Sequence, residues 1–220
     1  MMEGQYYQKY LKYKKKYIGL KENNILFGGR RHDFFFLHAT KSFETLSSIL
    51  DSGFIFPGKD VESKHRFMGG PETEFEHVYM SMYFKDIDNI KHIRAISFII
   101  DSCLVYGNNL IFHEGWYGGN PIFLYKNDTK KITDKKIEKI HNFLENSITV
   151  PEKLREGGMF DHQMLMEGSI SLKKYVIGIV FNIQDIDLYK KSISKIKRKI
   201  KEKGYNFKIY YTAEPININL

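Results

Sequence analysis

Residues 34–40, FFFLHAT, constrain this chain more than any other stretch. Three phenylalanines and a leucine form a short apolar run suited to a buried strand, expected over 33–38. The run delivers His38, Ala39 and Thr40 where the apolar cover stops. The sequence after it, KSFETLSSILDSGF, sets Phe43, Leu46, Ile49 and Leu50 on one helical face. Ser42 is the expected N-cap, and Gly53 the left-handed stop. A buried strand that ends in His-x-Thr and passes at once into a capped helix holds a polar pair at a fixed backbone position. That suits a binding site, and it equally suits a histidine that finds a partner at a strand end; His38 is one of eight histidines.

The same periodicity rules place the other elements. A second strand is expected over 78–84 (VYMSMYF), a short helix over 86–93 and a strongly apolar third strand over 94–105. Residues 106–128, rich in glycine and turn signals, read as a long loop with one strand at 122–125. A helix over 133–146 turns Ile137, Ile140, Phe143 and Leu144 inward, and 151–156 adds a turn of helix. Strands follow over 159–167 and 172–181, split by Gly168. A basic helix over 185–203 faces Ile186, Tyr189, Ile193, Ile196 and Ile200 inward and its lysines to solvent. The last strand, 207–212, alternates enough to be an edge or half-buried strand. Strands interspersed with helices, without a Gly-rich dinucleotide fingerprint, point to an α+β fold rather than a doubly wound parallel sheet.

Residues 1–32 read as a separate piece, a basic Tyr/Lys-rich helix and a linker, ahead of one domain over 33–220. Tyr6, Tyr10, Tyr13, Tyr17 and Leu20 share a helical face that lysines surround. Such a helix fits a membrane surface, RNA, another anionic partner or the chain's own domain. Lys and Arg outnumber Asp and Glu by 8, which favours anionic partners throughout. The one cysteine, Cys103, excludes an internal disulfide, and burial is its expected fate. No stretch approaches about 18 apolar residues, so no transmembrane segment is expected, and the N-terminus does not read as a secretory leader.

Three pieces carry chemistry together: His38-Ala39-Thr40, then Tyr79-Met80-Ser81 within HVYMS, then residues 161–170, DHQMLMEGSI. In this order they resemble the His–Tyr–Glu triad of poly(ADP-ribose)-polymerase-like and diphtheria-toxin-like ADP-ribosyltransferases. The resemblance spans roughly 33–212 and is most specific in LHAT…FETLSSILDSGF. It implies a split antiparallel β-sheet with flanking helices, NAD+ as substrate, release of nicotinamide, and ADP-ribose transfer to a protein or nucleic-acid acceptor. It also implies roles. His38 and Thr40 match the residues that hold the adenosine-side ribose. Ala39 stands where the family's backbone grips the nicotinamide carboxamide. Tyr79 matches the ring that stacks on nicotinamide, with Tyr83 as an alternative, and Ser81 closes the same element. Residues 10–17, YLKYKKKY, resemble a signature that recurs in giant-virus proteins. That implies a viral protein acting in the virion or the host cytoplasm.

The family's catalytic glutamate is where this chain departs. Counting back from Gly168-Ser169-Ile170, that position falls on Gln163, and a true carboxylate, Glu167, comes four residues later. Either fills the role, and with Gln163 there, mono-transfer or a binding-only fold becomes the expectation. Other chemistries fare worse. A phosphoesterase with two His-x-Ser/Thr motifs fails because no second one occurs. Metal-ligand spacing is lacking, and the six arginines do not cluster as an RNA 2′-phosphotransferase needs. The non-enzyme expectation is a virion or host-interaction protein that keeps the fold without turnover.

Overall fold

The computed structural model describes residues 34–40, 42–61, 76–84, 96–113, 121–148, 163–181 and 186–211. The expected basic helix and linker of residues 1–32, the helix at 86–93, the turn at 151–156 and residues Asp161 and His162 lie outside them. All described residues fall in the unit Asp33–Leu220.

Strand β1 is Phe34–Ala39, and helix α1, Phe43–Ser52, follows. The helix starts as its sequence dictates: the Ser42 hydroxyl accepts the Thr45 N–H at 3.2 Å. It stops at Gly53, whose φ of 80° only glycine adopts cheaply and whose N–H closes on the Ile49 carbonyl. Leu46 and Leu50 are buried, with Phe43 and Ile49 packed beside them. Then come β2 (Phe54–Ile55), β3 (His77–Phe84), β4 (Ile96–Asp101), β5 (Leu110–His113) and β6 (Ile122–Leu124). Helix α2 covers Lys130–Ile148. Strands β7 (Gln163–Glu167) and β8 (Ile170–Ser171), a single turn α3 (Leu172–Tyr175), β9 (Val176–Phe181), helix α4 (Ile186–Glu202) and β10 (Lys208–Tyr211) complete the chain.

Eight strands form one sheet in the order β10-β9-β4-β1-β3-β7-β5-β6, antiparallel except for the β10–β9 pair. Strand β3 is the hinge. Its residues 81–84 pair with β1 on one side, and 77–80 pair with β7 on the other. The sheet is therefore two half-sheets sharing one strand, as the split α+β architecture requires. One face carries the main core: Phe34, Phe36, Met80, Met82, Phe98 and Phe112 with buried residues from α1, α2 and α4. A smaller cluster of Phe35, Leu37, Ile99 and Val180, with Tyr83 and Tyr210 against it, covers the other face of the β1 half.

Local competition moves several expected boundaries. The apolar run 94–105 does not stay extended: the Asp101 carboxylate accepts the Cys103 N–H at 2.8 Å and turns Ser102–Val105 into a short 3-10 helix. Residues Leu172–Tyr175 coil before β9 begins at Val176. The loop 106–128 contains a second strand, β5, and α2 starts at Lys130, before Thr133. Cys103 is half-buried, and burial with the nearby Asp101 pushes its thiol up to about 12, so it stays protonated near neutral pH. At Gly178 an added Cβ would meet the Lys208 carbonyl at 2.8 Å, so β10 docks this closely only against glycine.

Candidate active site

The notch lies where β1 leaves β3. Their ladder stops at Leu37 opposite Ser81, whereas β1 keeps pairing with β4 to Ala39 opposite Ser97. Thr40 donates its N–H to the Ile96 carbonyl at 2.9 Å. Even residues of β1 thus turn their backbone groups toward β4 and odd ones toward β3. Ala39 is odd, so its N–H and C=O face β3 just past the last β1–β3 pair.

His38 sits at the same fork. Its Nδ1 lies 2.8 Å from the Tyr79 carbonyl oxygen. A carbonyl only accepts, so Nδ1 carries the hydrogen and Nε2 keeps its lone pair. Burial lowers the His38 pKa, and the bond to Tyr79 pushes back less strongly. The ring is therefore neutral near pH 7, with one acceptor to offer. Thr40 is only 5% exposed, and its hydroxyl has no hydrogen-bond partner among the described residues. A hydroxyl left so costs about 1–3 kcal/mol unless another group satisfies it.

Across β3 the same alternation sorts side chains by face. Val78, Met80, Met82, Met164 and Met166 enter the main core. Residues 77, 79, 81 and 83 lie on the opposite face and are half-buried. Tyr79 is paired with Leu165, and His77 with Glu167. Glu167 is exposed; its Oε2 accepts the Asn109 side-chain N–H at 2.7 Å, and its own N–H reaches the Asn109 carbonyl at 3.2 Å. Asn109 in turn accepts the Lys126 N–H on Oδ1 at 3.0 Å. It holds the carboxylate to a turn of backbone.

The structure thus brings the His38 ring to the Tyr79 carbonyl at the edge of β3, while Thr40 turns its N–H to β4. His38 is paired with the core residue Phe98 and so starts from the main-core face, whereas the Tyr79 and Glu167 side chains lie on the opposite face as cross-strand diagonal neighbours, about 7–8 Å between backbones. Gln163 opens β7 opposite His113. Ser81 is the last β3 residue zipped to β1. The Tyr83 ring stacks on Phe35 at 5.7 Å and 20°, engaged in the smaller cluster. Sequence reasoning missed Asn109, because it lay in a stretch read as loop and its amide matters only once β5 and β7 pair.

Known proteins agree with this architecture. A model of a family of unknown function, DUF5846, matches residues 31–147. Protein R11 of Acanthamoeba polyphaga mimivirus is 34% identical over 213 residues, which cover 91% of this chain and 78% of that protein. Among solved structures, DarT of Thermus sp. 2.9 in complex with NAD+ superposes with a TM-score of 0.53 at 10% identity, over 83% of this chain and 96% of its own. The same DarT in complex with ADP-ribosylated single-stranded DNA gives 0.52 at 12% identity, over 83% and 97%. This chain shares the α+β fold of DarT. No described helix is long and apolar enough to cross a membrane. With the family model spanning more than half of the chain and the mimivirus relative matching nearly all of it, the chain belongs to the DUF5846 family.

Proposed function

We propose that the chain transfers single ADP-ribose units from NAD+ to a nucleic-acid acceptor, releasing nicotinamide. The observation that carries this is the notch: a neutral imidazole acceptor, a buried unsatisfied hydroxyl and a backbone donor–acceptor pair meet at one strand fork. His38 Nε2 and the Thr40 hydroxyl suit sugar hydroxyls. The Ala39 N–H and C=O suit a primary carboxamide, which also offers one acceptor and donors. Tyr79 supplies a ring for the flat, cationic nicotinamide, worth about 0.5–2 kcal/mol.

Nicotinamide leaves with the electrons of its glycosidic bond, and positive charge develops on the ribose. Glu167 carries the negative charge that opposes it, and Asn109 fixes that charge in place beforehand. Preorganised electrostatics of this kind lower barriers by several kcal/mol. Gln163 is neutral and offers only hydrogen bonds. The acceptor's nucleophile then attacks the anomeric carbon. The excess of 8 positive charges and the DarT complex with modified single-stranded DNA support a nucleic-acid acceptor over a protein one.

One observation favours a second reading, NAD+ binding without turnover: Glu167 is exposed and already engaged by Asn109. Incubation with NAD+ labelled in its adenylate phosphate separates the two. Nicotinamide release and label on DNA or RNA, both lost in His38→Ala and Tyr79→Ala, support transfer. NAD+ binding by calorimetry with no release supports the second reading. Neither binding nor release ends both, and label on protein alone corrects the acceptor.

A further inference from the structure

The face that carries Tyr79 continues to the edge of the sheet. Tyr79 is paired with Leu165, Leu165 with Ile111, and Ile111 with Phe123. Cross-strand partners share a face, so these four residues form one row across β3, β7, β5 and β6. Beneath the row, Leu110, Phe112, Ile122 and Leu124 all enter the main core. Phe123 does not: it is 41% exposed and Tyr125 is 54% exposed. Their rings lie parallel, 6.0 Å apart and 6° from coplanar. An exposed edge strand ordinarily carries charge or proline at such positions, because bare aromatic rings there invite association.

The surroundings are cationic. Lys136 Nζ sits 4.9 Å over the Tyr125 ring while bonded to Asp128 at 2.5 Å. Along α2, Ile132 and Lys139 lie four residues before and three after Lys136, and Lys135 lies at the same helical spacing from Ile132 and Lys139. Lys135 and Lys139 are exposed, with no acidic partner among the described residues. A purely apolar partner would gain nothing from these charges, and a duplex keeps its bases stacked away from the rings.

From this row and these lysines we infer that Phe123 and Tyr125 form a docking platform for single-stranded nucleic acid. Bases stack on the rings, and Lys135 and Lys139 take the phosphates. Three strand spacings of about 4.8 Å separate the platform from Tyr79, about 14 Å in all. At about 3.4 Å per stacked nucleotide that is a span of about four nucleotides. The platform thus holds a strand a fixed distance from the notch. The placement of the acceptor rests on the function proposed above, whereas binding at the platform does not.

The test is fluorescence anisotropy on the full chain, without NAD+, using a labelled mixed-sequence 12-mer as single-stranded DNA, as RNA and as duplex. Single strands are expected to bind about tenfold or more tighter than duplex. The F123A/Y125A variant is expected to weaken single-strand binding by about tenfold or more, at an unchanged melting temperature. The K135Q/K139Q variant should weaken it less and flatten its salt dependence. Wild-type affinity in F123A/Y125A, or equal affinity for duplex, overturns the platform. So does binding only to an acidic protein. Nicotinamide release in the absence of acceptor should be the same in F123A/Y125A as in wild type. A failed platform is thereby told apart from a failed notch.

Discussion

The two half-sheets share one core but treat their outer faces in opposite ways. On the β1, β4, β9 and β10 half, that face is closed by Phe35, Leu37, Ile99 and Val180. On the β7, β5 and β6 half it carries Glu167, Ile111 and Phe123, and these stay half-buried or exposed. The first half is covered on both sides and acts as scaffold. The second is closed at Leu165, 8% exposed, and opens toward Ile111, Phe123 and Glu167, which leaves a surface for chemistry. The notch sits at the seam, because β3 must serve both halves and cannot pair along its whole length with either.

Substitutions on the two halves should therefore separate stability from function. Phe98 is fully buried, and Phe98→Ala is expected to cost about 3–5 kcal/mol by denaturant unfolding. Tyr79→Ala is expected to cost far less in the same measurement while abolishing nicotinamide release; equal costs would erase the distinction. Gly178→Val should cost about 1–3 kcal/mol by prising β10 from β9, seen as faster amide exchange in β10. On the open half, Asn109→Leu should change stability by less than about 1 kcal/mol. It is expected to lower kcat about tenfold with little effect on KM, because it frees a charge needed only as the bond breaks.

The smallest effect is the pH dependence at the seam. The folded-state pKa of His38 lies below its ordinary 6.5. The unfolded chain therefore takes up the proton first as pH falls. Stability is unpenalised above about pH 6.5 and declines below it, down to the folded pKa. His38→Asn should remove that part of the slope in thermal melts at pH 5 to 8, and NAD+ binding should hold constant across pH 7 to 8. A slope unchanged in the variant would show that the ring is not the group excluded from protonation.

Short-range features are legible in the sequence. The Ser42 cap, the Gly53 stop and the inward face of α1 each depend on residues within a few positions of one another. So do the buried positions Ile193, Ile196 and Ile200 of α4 and the half-exposed edge strand β10. Features set by competition are not. Asp101 diverts an apolar run by capping its own backbone, and four residues suffice for β5 because β6 and β7 flank it.

From its residues alone the chain determined its apolar strands, its capped helix and the polar trio that ends β1, since covalent spacing sets periodicity and capping. Only the folded sheet decided that β1 lets go of β3 at Leu37, that the His38 ring then takes up the Tyr79 carbonyl, and that Asn109 meets Glu167. Strand register is a long-range choice, made by burying one whole face at once. No local pattern encodes which partner each strand finds.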